Sequence, residues 1–99
     1  MATYNVSCGF TDLDGTCDIV GTNCISYTSS SKGAGTVTNK PGPNLHFHVN
    51  FTGVSHPYVI RAISSGTGYT GNASDQDDGA TEESWAATAV SKAASGQSC

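Results

Sequence analysis

The sequence predicts a mainly β, antiparallel, disulfide-stapled small domain, and three observations carry that expectation. Apolar and polar residues alternate over "TYNVSCGF" (residues 3–10) and, more regularly, over "NLHFHVNF" (44–51), the period of a strand with one buried face. Four cysteines, Cys8, Cys17, Cys24 and Cys99, stand in a chain of 99 residues at spacings that fit neither a CxxC motif nor a Cys/His zinc site, so disulfides are the default reading. Only 12% of the residues are charged, and Gly, Ser, Thr and Asn crowd the chain, as in small secreted domains. A chain of this length is one domain over residues 1–99. It buries only about 60 to 70% of the surface it exposes unfolded, so its core is marginal and staples are needed.

The elements follow in order. Tyr4, Val6, Cys8 and Phe10 share one face of a first strand, and Asp14-Gly15 reads as a two-residue hairpin turn, because Gly accepts positive φ at no steric cost. In that register Asp12 faces Cys17, Phe10 faces Ile19 and Cys8 faces Gly21. Residues 28–35, "TSSSKGAG", are small and polar and read as an exposed loop, with "TVT" (36–38) a short strand and "NKPGPN" (39–44) a turn cluster. The strand over 44–51 places Leu45, Phe47, Val49 and Phe51 on one face and Asn44, His46, His48 and Asn50 on the other. "YVIRAI" (58–63) is nearly all apolar and reads as a central strand covered on both faces, antiparallel to it. Residues 64–80 read as one long Gly/Ser/Asp-rich loop. In "TEESWAATAVSKAASG", Thr81 is a fair N-cap and Trp85, Ala86, Ala89, Val90, Ala93 and Ala94 fall on one helical stripe. A single short helix near 82–95 is therefore expected, with a strand as the competing reading.

The hairpin register bears on the cysteines. Cys8 and Cys17 would share a face but lie four residues apart along the strands, about 13 Å at the usual rise, too far for a bridge. Two connectivities then remain. Cys17–Cys24 with Cys8–Cys99 is favoured because the second bridge ties down the end of the chain.

No segment resembles a signal peptide or a membrane-spanning helix, and Met1 reads as a start codon placed ahead of a mature, processed chain. The formal net charge of −4 and the scatter of Lys32, Lys40, Arg61 and Lys92 argue against nucleic acid or anionic lipid as partners. The sequons at Asn5, Asn50 and Asn72 would permit glycosylation in a secretory pathway.

The residues with chemistry are few. His46 and His48, alternate on one strand, put two imidazoles on one face roughly 7 Å apart, near enough to ligate one metal with His56 or an Asp as third ligand. Two solvent-face polar residues beside Asn44 and Asn50 are the plainer reading. "DQDDG" (75–79) resembles a calcium loop in charge but lacks the EF-hand spacing and its closing Glu, and Asp12, Asp14 and Asp18 suit turns. There is no Gly-x-Ser-x-Gly elbow and no spare Cys, and nothing calls for a cofactor. Tyr4, Tyr27, Tyr58, Tyr69 and Trp85 are either a contact surface or the core.

Two stretches, "CDIVGTNCIS" (17–26) and "PYVIRAISSGTGYTG" (57–71), resemble the first disulfide loop and the central strand with its following loop in the small secreted fungal ribonucleases of the guanyl-specific type. The resemblance covers about a quarter of the chain. It implies an α+β, ribonuclease-like fold as the alternative to an all-β one, with bridges matching the favoured pairing. It also implies RNA cleavage by His46 or His48 with Arg61 near the phosphate. The family's base Glu and its second, late His have no counterpart in "YVIRAI" or "AVSKAASG", so general acid/base chemistry lacks its players. The expectation is instead a secreted, extracellular, non-enzymatic binding protein, in the manner of the small fungal proteins that host cells perceive as elicitors, effectors or immunomodulators. Its partner would be a protein or a cell surface, and a homodimer would complete unpartnered apolar strands. A ribonuclease-like enzyme using His46, His48 and Arg61 is the first alternative; a metal-binding or antimicrobial mini-protein is the second.

Overall fold

The structure is a computed structural model that describes residues 2–75 and, for the backbone alone, 82–89. The described chain is β1 (Ala2–Cys8), a 3-10 turn (Thr11–Leu13), β2 (Gly15–Val20), β3 (Asn23–Ser29), β4 (Gly33–Asn39), β5 (Leu45–Phe51), β6 (Tyr58–Ser65), β7 (Gly68–Ser74) and β8 (Glu82–Ala89). Each strand pairs antiparallel with the next, and β8 returns to pair with β1, so the sheet closes into an up-and-down barrel. The fold is mainly β, and no α-helix occurs among the described residues. No helix there is long and apolar enough to cross a membrane.

Alternation within the strands decides what lies inside. Val6, Cys17, Ile19, Cys24, Tyr27, Leu45, Phe47, Val49, Phe51, Tyr58, Ile60, Ala62 and Ala73 form one buried cluster, as expected when eight strands leave an interior just wide enough for side chains to fill. The strand expected at 44–51 is β5, with its apolar face inward and its histidines outward. It pairs with β6 as expected, Phe47 against Ile60 and Val49 against Tyr58. The expected cover on both faces of β6 holds for Val59, but Ile63 on the outer face is 55% exposed.

Several expectations are corrected. Asp14-Gly15 is not a turn: the register is Tyr4↔Cys17 and Val6↔Gly15, and the connection is the longer loop containing the 3-10 turn. Asp14 serves that loop through its carboxylate, which accepts the Cys8 amide at 2.6 Å. Gly15 is there for room, since a Cβ would stand 2.0 Å from the Thr28 carbonyl oxygen. Cys8 still lies four positions from Cys17's partner Tyr4, so the two remain too far apart to bridge. Residues 28–35 are a hairpin, not a loop, held because Ser29 Oγ accepts the amides of Ser31 (3.2 Å) and Lys32 (3.0 Å). The long loop expected at 64–80 begins instead as the β6–β7 hairpin. Its turn opens on Gly66 (φ 59°), as the β2–β3 turn opens on Gly21 (φ 62°), where a II′ turn demands positive φ. Over 82–89 the helix gives way to β8, because its backbone groups close the barrel between β7 and β1 and tertiary pairing overrides helix propensity. The rest of the segment, to 95, lies outside the described residues.

One end of the barrel is sealed by Leu13, 0% exposed, whose carbonyl accepts the Tyr27 hydroxyl at 2.6 Å. The weakest seam is β3–β4, where the ladder has only the pairs Thr28↔Ala34 and Ser29↔Gly33. Farther along, the Asn39 carboxamide takes the place of a strand, accepting from Cys24 N and donating to Cys24 O, both at 2.8 Å. Replacing Leu13 by Ala is expected to cost about 2–5 kcal/mol through the cavity it leaves at the barrel end. Asn39→Ala should cost about 2–4 kcal/mol, since two buried backbone groups of Cys24 lose their partners. Urea unfolding of both variants measures these losses.

Candidate functional site

The described interior is filled by apolar side chains, and the sequence-predicted polar candidates lie on the outer face. On the outer face the register makes two cross-strand rows. His46 on β5 faces Arg61 on β6, which faces Asn72 on β7; His48 faces Val59, which faces Ser74. The sequence-predicted trio His46, His48 and Arg61 is thus brought onto one surface. The two imidazoles are half-buried, with ring centroids 6.1 Å apart, and Arg61 is exposed.

Beside the first row lies an open groove of about 610 Å³, lined by the Pro41–Asn44 loop, Leu45, His46, Arg61–Ile63 and Thr70–Asn72. The "NKPGPN" cluster builds its wall. The loop is pinned where the Lys40 amide donates to the His46 carbonyl at 2.9 Å, so the wall and the floor share a hydrogen bond at the site's central residue. Sequence reasoning saw the turn but missed the wall, and missed Thr70 as floor because its segment read as part of a loop. A second groove, of about 420 Å³, has a different character, with Asn5, Ser7, Asp14, Thr16, Thr28 and Ser30 among its lining.

The other expected residues are not gathered here. His56 sits in the β5–β6 loop at the Leu13 end, edge-on to Tyr58 at 5.0 Å, so it does not join His46 and His48. No group of three His, Cys, Asp or Glu able to hold a metal occurs among the described residues. Residues 76–79 of the "DQDDG" segment lie outside those residues. Tyr27 and Tyr58 are core and not a contact surface. Tyr4 and Tyr69 pack edge to face at 5.3 Å, with the Tyr69 hydroxyl donating to the Gly21 carbonyl. Trp85's side chain is outside the description. Asp12 accepts the Tyr58 hydroxyl at 2.7 Å, and burial, foremost, pushes the Tyr58 phenol well above its usual range. Asp18 accepts from the hydroxyls of Thr3 and Ser26, which hold its carboxyl below the ordinary value. Strand alternation puts the sequon residues Asn5, Asn50 and Asn72 outside and the intervening Val6, Phe51 and Ala73 inside.

Cys17 and Cys24 are free, buried thiols, so the bridge expected between them is not formed. The register gives the reason: Cys17 opposes Tyr27 while Cys24 opposes Ile19 beyond an irregularity, and diagonal positions about 7–8 Å apart exceed ordinary disulfide reach. Cys8 is disulfide-bonded, no disulfide joins two of the described residues, and Cys99, its expected partner, lies outside them.

Comparison with known protein families, curated proteins and solved structures returned no match for the chain.

Burial, before the neighbouring charges, raises both thiols, Cys24 to about 12 and Cys17 higher still. Both are therefore expected to resist Ellman's reagent in the native protein and to react, two per chain, in denaturant. Ionisation favours the unfolded chain, whose thiols lose their protons first. The stability these groups confer is complete below their ordinary value near 9 and declines as pH rises above it. Unfolding midpoints measured from neutral pH into the alkaline range check that sign.

Proposed function

We propose that the protein is a secreted, non-enzymatic binding protein that takes its ligand on the outside of the barrel. The observation that carries this reading is the groove wall of Pro41–Asn44 standing over a floor in which His46, Arg61 and Asn72 form one cross-strand row. A space of this size suits a small ligand or the anchoring group of a larger one, and its polar side chains are placed by paired strands. Secretion is supported by the disulfide at Cys8 and by the three outward sequons. Perception by host cells, as an elicitor, effector or immunomodulator, is the role this reading carries, with a protein or cell-surface molecule as partner.

Ribonuclease-like chemistry is the second reading, favoured by one observation: two imidazoles on one face, with Arg61 opposite the first of them. Acid/base cleavage needs two titratable groups flanking a phosphate, and this is the place in the described chain where a cation stands beside such a pair. Among the described strands each is paired on both sides, so a homodimer would not form by completing a sheet edge there.

Two measurements separate these readings. In a titration of isotope-labelled protein with a small-fragment library, hits are expected to shift the amides of His46, Arg61, Ile63, Thr70 and Asn72. Shifts gathered at Asn5, Thr16 and Thr28 instead would refute the groove reading. In an RNA cleavage assay with a chelator present, the protein is expected to show no activity beyond that of a His46→Ala/His48→Ala variant. Cleavage abolished by that substitution would establish the ribonuclease reading in its place.

A further inference from the structure

Cys17 and Cys24 are equally buried, each 1% exposed, but the backbones that carry them are held differently. Cys17 stands mid-ladder on β2, paired with Tyr4 of β1 on one side and with Tyr27 of β3 on the other. Cys24 is paired with Ile19 of β2 on one side. Toward β4 the ladder has already ended at Thr28↔Ala34, and the Asn39 carboxamide meets the Cys24 backbone there through two hydrogen bonds of 2.8 Å. One side chain does at this point what a strand does elsewhere.

Each strand of the seam supplies a cause for its weakness. In β3 the register against β2 shifts between Asp18 and Ile19, which leaves Ile25 outside the ladder and 53% exposed. Such a bulge bends its strand and increases the local twist, and it lies where β3 parts from β4. In β4 no residue from Gly33 to Asn39 is fully buried, so little apolar burial holds that strand in place. Segments with few buried apolar contacts and few ladder bonds open at a lower free energy than the whole molecule. The two pairs at the hairpin end, Thr28↔Ala34 and Ser29↔Gly33, are the hinge of such an opening, and Asn39, exposed at the far end of β4, is its fastening.

We propose that the β3–β4 seam is a built-in opening of the barrel, with Asn39 as its latch, and that Cys24 is the thiol this opening uncovers. In the closed barrel that thiol donates to the Ser26 carbonyl at 3.4 Å, and burial, foremost, pushes it up to about 12, so it is unreactive. In the open state it returns to its ordinary value near 9, and its thiolate attacks a small-molecule disulfide. A bond forms between Cys24 Sγ and one sulfur of the reagent, the reagent's own S–S bond breaks, its other half leaves as a thiolate, and the proton of Cys24 goes to solvent. The adduct does not fit the filled interior and holds the seam open. The device is therefore a redox-sensitive latch. It is independent of any ligand in the outer groove.

Ellman's reagent in large excess over the full-length protein is the probe, with the modified cysteine identified by peptide mass. The wild-type protein reacts slowly, and Cys24 is expected to react about tenfold or more ahead of Cys17. Sub-denaturing urea should accelerate Cys24 less steeply than Cys17, because a local opening exposes less surface than unfolding does. Leu13→Ala weakens the barrel at the end away from the latch, where the open seam leaves Leu13 packed. It is expected to accelerate Cys17 about thirtyfold or more while Cys24 stays near its wild-type rate. Asn39→Ala removes bonds that are lost both in the open and in the unfolded state, and should accelerate Cys24 about thirtyfold or more. Equal urea slopes for the two thiols, with equal acceleration by Leu13→Ala, would mean that only whole-chain unfolding exposes them and would overturn the opening. An unchanged Cys24 rate in Asn39→Ala would overturn the latch. The urea series needs no variant, so it decides the question even where a substitution prevents folding.

Discussion

Closure is the constraint on which the rest depends. An open sheet of strands six to eight residues long would leave two unpaired edges. Pairing β8 with β1 removes both edges and fixes which residues point inward. With eight strands the interior has room for side chains and little else. Phe47, Val49, Ile60, Leu45 and Tyr27 fill it, and Leu13 seals one end. Among the described residues the interior is filled by side chains, which leaves the polar side chains of β5, β6 and β7 on the outer face.

The same constraint explains which parts of the fold were legible in the sequence. Residues 45–51 could be read completely because a barrel strand with large inward residues, Leu45, Phe47, Val49 and Phe51, shows its period in full. The hairpins at 28–35 and 64–74 could not, because their inward positions include Gly35, Gly71 and Ala73, which carry no hydrophobic signal, whereas "TVT" (36–38) was legible as a strand and lies in β4. Gly71 pairs with Ala62 on one side and Trp85 on the other, and a Cβ there would meet the Arg61 carbonyl oxygen at 1.9 Å. Small residues are required at such close approaches, and in sequence they look like a loop. The helical stripe at 82–95 was a true local preference over part of its length, overruled where β7 and β1 both needed a partner. The first hairpin failed for a related reason: Asp-Gly is a turn signal only when the strands leave two residues between them, and the Leu13 plug requires more.

The cysteines show a limit of counting. Four in a short chain read as two bridges, yet Cys17 and Cys24 face inward from diagonal positions and pack as small hydrophobes. Asn39 rather than a disulfide holds Cys24's strand to its neighbour across the short β3–β4 ladder. The stability expected from covalent staples is here carried in part by a side-chain carboxamide and by a buried tyrosine hydroxyl on the plug. The argument for an oxidising compartment accordingly narrows from four cysteines to Cys8, with the outward placement of the sequons beside it.

Of the candidate site, the sequence showed the residue types but not their grouping. His46 and His48 are neighbours by alternation alone, so they could be paired from the sequence. Arg61 and Asn72 join His46 only through the register of β5, β6 and β7, fixed by contacts on the opposite, buried face, where Phe47 meets Ile60 and Ile60 meets Ala73. A slip of one residue in either ladder would turn a floor residue inward and an apolar one out. The core therefore acts on recognition directly: packing inside the barrel holds the donor row and the Ile63–Thr70 row side by side outside it. The row of His46, Arg61 and Asn72 is thus assembled by paired strands alone, with no loop movement needed to bring it together.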